Sequence, residues 1–137
     1  MMEARAIKRY LRMSPRKIRV VVDLIRGKKV SEALAILKFC PKAGAIEVER
    51  VLRSAVANLQ NLKDRGSLDP EYVLVKKAFV DSSVTLKRIL PAPMGRAYRL
   101  RKRSAHITIV VEDLPMPTKS KEVKSKVKKE EKVGTEN

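Results

Sequence analysis

The chain has 137 residues, and its 32 lysines and arginines against 15 aspartates and glutamates leave a formal net charge of +17. That length supports one modest core and does not require a second domain. The charge makes a compact state repel itself unless a polyanion neutralises it, which disfavours a small neutral substrate and points to nucleic acid, with an anionic membrane as the other candidate.

The amino-terminal stretch is crossed by Arg5, Lys8, Arg9, Arg12, Arg16, Lys17 and Arg19, so it lacks an apolar core of signal-peptide length. No later run approaches the roughly 20 apolar residues that span a bilayer. The expectation is an intracellular, soluble protein with no membrane partner. Within this stretch Glu3 to Tyr10 alternates imperfectly, with Ala4 and Ala6 on one side and Arg5 and Arg9 on the other, and predicts a weak strand.

Ser14-Pro15-Arg16-Lys17 predicts a helix start, with serine able to cap free amides and proline where no helical donor is missed. Ile18, Val21, Val22 and Ile25 follow at helical spacing, and Gly27 ends the run. Ser31 is the expected cap of a second helix carrying Ala33, Leu34 and Leu37, with Pro41 limiting its end. Cys40 reads as a small hydrophobe near that end rather than a nucleophile, and as the single cysteine it excludes an intrachain disulfide or a cysteine-based zinc cluster. A third helix begins around Pro41 to Gly44, with Val48, Leu52, Ala55, Leu59 and Leu62 in one stripe. Asp64-Arg65-Gly66 and Asp69-Pro70 read as a turn and connector.

Tyr72 to Val80 favours a strand, although Lys76 and Lys77 break its alternation. A cleaner strand places Ile107, Ile109 and Val111 on one side and His106, Thr108 and Glu112 on the other. Between them, Ser82 to Arg103 has no acidic residue but carries Lys87, Arg88, Arg96, Arg99, Arg101, Lys102 and Arg103. Its middle, Leu90-Pro91-Ala92-Pro93-Met94-Gly95, resists an ordinary central strand. This predicts a protruding hairpin arm over about residues 82–104 with a Pro/Gly tip. Residues 114–137, Lys/Glu-rich from Thr118, read as a disordered basic tail.

Phosphate neutralisation is the chemistry this pattern permits. Arginine grips phosphate bidentately or stacks on unpaired bases, so the arm is the sharpest RNA-contact candidate. Tyr98, between Arg96 and Arg99, either stacks on a base or packs on its own hairpin. Ser14 to Arg16 either holds a phosphate at the helix start or simply caps the helix. Asn58, Gln60, Asn61 and His106 divide between RNA contact and ordinary surface roles. An enzyme is not expected. Arg26-Gly27-Lys28-Lys29 lacks the glycines of a phosphate loop, His106 has no companion metal ligands, and Glu47, Glu49, Asp64, Asp69, Asp81, Glu112 and Asp113 have plain helix-surface, turn or strand-end explanations. No metal or cofactor is implied.

The ordered blocks are similar to the bacterial-type large-subunit ribosomal protein L22 (uL22) family over roughly Glu3 to Asp113. They are Ser14-Pro15-Arg16-Lys17, Asp23-Leu24-Ile25-Arg26-Gly27-Lys28, Glu32-Ala33-Leu34-Ala35-Ile36-Leu37, Ser54-Ala55-Val56-Ala57-Asn58 and Ala78-Phe79-Val80-Asp81. The most specific are Thr85-Leu86-Lys87-Arg88, Gly95-Arg96-Ala97-Tyr98-Arg99-Leu100-Arg101-Lys102-Arg103 and His106-Ile107-Thr108. The resemblance implies an α+β domain, residues 1–113, with three helices packed on a small three-stranded antiparallel sheet and a long protruding β-hairpin. It implies cytoplasmic residence in the large ribosomal subunit, contact with its RNA and neighbouring ribosomal proteins, a part in assembly, and no homo-oligomer. By matching position it would place Ser14, Arg16, Lys17, Lys87, Arg88, Arg96, Arg99, Arg101, Lys102 and Arg103 on RNA; the charge pattern and side-chain chemistry add Arg5, Lys8, Arg9, Arg12, Tyr98 and His106 as RNA-binding candidates. Leu90 to Gly95 would form a tip in the wall of the nascent-peptide exit tunnel, in transient contact with the peptide.

The chain departs from the family pattern at Leu90 and Ala92, where arginine is common, at Met94, where a polar residue is common, and at Val84, where proline is common. Its tip should therefore be more apolar. A DNA-architectural protein would explain the charge but not the ordered blocks. A membrane-surface protein would need the helical stripe that the small sheet requires for cover.

Overall fold

Alternation makes a strand of the charged segment Glu3–Leu11 (β1): Ala4 and Ala6 are buried while Arg5 and Ile7 face outward. The computed structural model describes residues 2–62 and 70–114. After β1 come α1 (Pro15–Ile25), α2 (Val30–Phe39), α3 (Gly44–Leu62), a 3-10 turn (Pro70–Tyr72), β2 (Val73–Pro91), a second 3-10 turn (Pro93–Gly95) and β3 (Ala97–Asp113). The strands form one antiparallel sheet in the order β1-β3-β2. Of the expected connector, Asp64 to Asp69 lie outside the described residues, as does the expected tail apart from Leu114, whose amide bonds to the Tyr72 oxygen at 2.7 Å.

All three helices pack on one face of this sheet. Ile18, Val21, Val22 and Ile25 of α1, Val30, Ala33 and Leu37 of α2, and Val48, Leu52, Ala55 and Leu59 of α3 meet Val75, Ala78 and Val80 of β2 and Ala105, Ile107, Ile109 and Val111 of β3. The arrangement is the expected α+β one, with two corrections to its helices. Leu62 does not belong to the buried stripe: it is 56 % exposed, because α3 ends there beyond the sheet. Nor does Ser31 cap α2. The cap lies two residues earlier, at Lys29, which is bridged to Leu74, and Val30 opens the helix buried in the core.

The broken alternation at Lys76 and Lys77 has a structural cause. β2 carries one extra residue between Val75 and Lys77, a β-bulge that keeps both Val75 and Ala78 on the core face. β2 is also an edge strand, and α1 covers its free carbonyls. The Arg19 guanidinium donates to the Val80 oxygen at 3.1 and 3.2 Å, and Arg26 to the Ala78 oxygen at 2.9 and 3.1 Å. The Gly27 amide reaches the Val75 oxygen at 3.1 Å, and the Val75 amide reaches the Lys28 oxygen at 2.9 Å. Gly27 makes this turn at φ 73°, a left-handed conformation that a side chain disfavours. Much of the Asp23–Lys28 block is thus an edge clamp.

Candidate nucleic-acid interface

β2 and β3 run on beyond the sheet as a two-stranded arm, the expected hairpin, whose strands are continuous with those of the core. A second bulge lies at its root. Ser82 pairs with Ala105 and Thr85 with Arg103, so β2 again has one residue more than its partner. The Ser104 hydroxyl donates to the Val84 oxygen there.

Cross-strand partners share a face, and the register sorts the arm chemically. One face carries the pairs Thr85–Arg103, Lys87–Arg101 and Ile89–Arg99; the other carries Leu86–Lys102, Arg88–Leu100 and Leu90–Tyr98. The first is an arginine ladder with a repeat of about 6.8 Å, two residues of antiparallel strand. The second is apolar with two cations. Tyr98 therefore lies beside Leu90 of its own hairpin and remains 57 % exposed.

All of the arm's basic residues are exposed. Among the described residues the ion pairs all lie on the globular part: Lys8–Glu47, Asp23–Arg26, Arg50–Glu47, Arg53–Glu49, Lys76–Glu3 and Lys76–Glu112. No carboxylate among the described residues neutralises the arm, which presents a one-signed positive surface.

At the tip, β2 ends with Leu90 and Pro91. The Ala92 amide then bonds to the Arg96 oxygen at 2.9 Å, closing a loop around Pro93, Met94 and Gly95. Met94 has φ 61° and is 92 % exposed; Gly95 has φ 69°. The glycine is required by this backbone conformation and not by crowding, since a Cβ would meet nothing within 4 Å.

The amino-terminal cluster is divided. Arg12 and Ser14 join Met13, Leu86, Arg88, Lys102, Arg103 and Ser104 around a cleft of about 570 Å³ at the arm root. Arg16 and Lys17 line a neighbouring cleft with Met13, Val20 and Lys42. Nothing in the sequence singles out Lys42, which lies in a connector without a motif. Ser14 precedes α1 but makes no side-chain cap bond. Its carbonyl, not its hydroxyl, accepts the amides of Lys17 at 3.1 Å and Ile18 at 3.4 Å, so capping by the hydroxyl is not its role.

Arg5 and Arg9 stand exposed on β1, away from that root. Asn58 donates to the Arg5 oxygen at 3.0 Å, a bond that holds α3 against β1. His106 accepts the Tyr10 amide at Nδ1 (3.0 Å), with the two rings edge to face at 4.9 Å. Tyr10 reaches it from a left-handed conformation, φ 56°, within a bulge of β1. Among the described residues no group of His, Cys, Asp and Glu could hold a metal, and no helix is long and apolar enough to cross a membrane.

Lys8 faces the helices and bonds to Glu47. That hydrogen bond, opposed by partial burial and reinforced by the charges of Lys8 and Arg50, holds the Glu47 carboxyl below the ordinary carboxylate range. A depressed carboxylate pKa adds stability that is present above its unfolded value and lost as pH falls through the folded one. Lys8→Ala should move the Glu47 titration upward and weaken the acid-side loss of stability. A carboxyl-carbon NMR titration checks this, and an unmoved Glu47 curve would contradict it.

Comparison with known proteins matches residues 6–112 to the family model for ribosomal protein L22p/L17e. The chain is 56 % identical over 111 residues to the large ribosomal subunit protein uL22 of Desulfitobacterium hafniense (strain DSM 10664 / DCB-2), covering 81 % of this chain and 95 % of that one. It is 53 % identical over 112 residues to the uL22 of Clostridium novyi (strain NT), covering 82 % and 98 %. The corresponding protein of Pelotomaculum thermopropionicum is 51 % identical over 112 residues, covering 82 % and 96 %.

Proposed function

We propose, from the premise that the chain belongs to the ribosomal protein L22p/L17e family of the large ribosomal subunit, that it binds large-subunit ribosomal RNA chiefly through its arm and helps that RNA assemble. The observation that carries this reading is the arm itself: an extended, exposed ribbon of cations with no carboxylate among the described residues to neutralise them and little apolar area with which to stabilise itself. RNA supplies what it lacks. Phosphates would neutralise Lys87, Arg88, Arg96, Arg99, Arg101, Lys102 and Arg103, and close packing would hold the ribbon in place. Arg12, Arg16, Lys17 and Ser14 would extend the contact around the start of α1, with exposed Arg5 and Arg9 and half-buried His106 adding positions on the sheet and Tyr98 an aromatic surface on the arm.

In this reading residues 1–113 act as one RNA-binding domain within the cytoplasmic large subunit, beside other ribosomal proteins, without catalysis and without self-association. Lys8 contributes mainly to structure through Glu47. The tip, Leu90 to Gly95, reaches the nascent-peptide exit tunnel and touches the passing peptide with Met94 outermost. Its apolar residues make that contact less charged than arginine would.

Competition between large-subunit ribosomal RNA and duplex DNA of equal length, across a salt series, tests the assignment. RNA preference that persists as salt rises is the expected result. Equal, steeply salt-sensitive binding to both would leave only a polycation and favour a DNA-architectural role.

A further inference from the structure

The cleft at the arm root brings apolar and cationic side chains of the arm together with Arg12 and Met13 of the segment before α1. At about 570 Å³ it falls within the range of roughly 300–1,000 Å³ usual for small-ligand sites. Leu86 and Met13 supply apolar lining, while Arg12, Arg88, Lys102 and Arg103 supply cations, and no carboxylate among the described residues lines it. None of these four cations has an ion-pair partner among the described residues. The Met13 sulfur lies over Gly44, 3.4 Å from where a side chain there would begin.

A phosphate alone would leave the apolar lining unused, and an apolar side chain would leave the cations bare. A nucleotide satisfies both, with a flat base that gains by leaving water and a phosphate attached to it. We propose that this cleft receives one unpaired RNA nucleotide, its base against Leu86 and Met13 and its phosphate among Arg12, Arg88 and Lys102. The inference rests on the RNA-binding reading and makes it more specific: the arginine ladder tracks backbone, whereas the root selects an extruded base. A paired base is stacked and out of reach, so bulged positions, which are easiest to extrude, are the natural occupants.

The test uses the full chain and two RNA hairpins that differ only in whether a single 2-aminopurine is bulged or paired. Leu86 is 47 % exposed, so its replacement leaves the core intact. The wild-type chain should prefer the bulged RNA about tenfold, the scale of one base moved out of water, with a change in 2-aminopurine fluorescence on binding. Leu86→Ser should abolish the preference without changing affinity for the paired hairpin, and Leu86→Met should retain it. Equal wild-type affinity for both RNAs would overturn the nucleotide site while leaving RNA binding intact. A preference that survives Leu86→Ser would overturn it too, by placing the base elsewhere. Binding to neither RNA would overturn the RNA reading itself.

Discussion

Alanine at Arg99, Arg101 and Arg103 together is expected to lower affinity for large-subunit RNA on the order of a hundredfold at about 0.1 M salt, and to flatten the salt dependence by about two units of slope. These arginines share one face of the arm and have no carboxylate partners among the described residues. Every phosphate that an arginine no longer neutralises takes roughly 0.7 off the slope of log K against log salt for single-stranded RNA, and three such phosphates set the affinity change at that salt. The side chains lie outside the core, so the triple variant should unfold at the same denaturant concentration as the parent. A folded variant with unchanged affinity and slope would remove the ladder from the interface.

The largest effect on stability is expected at Leu52. It is fully buried in the middle of α3, where that helix meets α1, α2 and the sheet. Leu52→Ala should cost about 2–5 kcal/mol through reduced burial and the cavity left behind, a large share of the roughly 5–15 kcal/mol that holds an ordinary domain together. Leu62→Ala provides the control: it belongs to the same sequence stripe but is exposed, and its effect should stay within about 0.5 kcal/mol. Denaturant melts of the two variants decide the matter, and equal losses would contradict the burial described above.

That contrast marks where sequence reading stops. Periodicity locates α3 because an amphipathic helix repeats its apolar face, yet periodicity cannot tell where the surface beneath the helix ends, and Leu62 lies beyond it. The basic arm is legible because charge without carboxylates is a property of composition. Its division into an arginine face and an apolar face is not, since that depends on which residues of β2 and β3 stand opposite each other. Ser14 is legible as a helix boundary but not in its hydrogen bonding, and Arg19 and Arg26 give no sign that they clamp an edge strand. The cleft at the root joins Arg12 to Lys102 across the fold, a proximity that no local pattern encodes.

The bulge between Ser82 and Thr85 acts on the arm as a phase setter. A strand shows its side chains alternately to either side, so a one-residue offset at the root inverts every β2 position beyond it. With the unmatched residue absent, Leu86 and Leu90 would stand among Arg99, Arg101 and Arg103, and Lys87 would move beside Leu100 or Lys102. The arginines of β3 would keep their common face, but the β2 residues set beside them would be exchanged for those of the other face. Which β2 side chains stand beside the arginines thus depends on how many residues the chain places at the root of the arm, next to Val84.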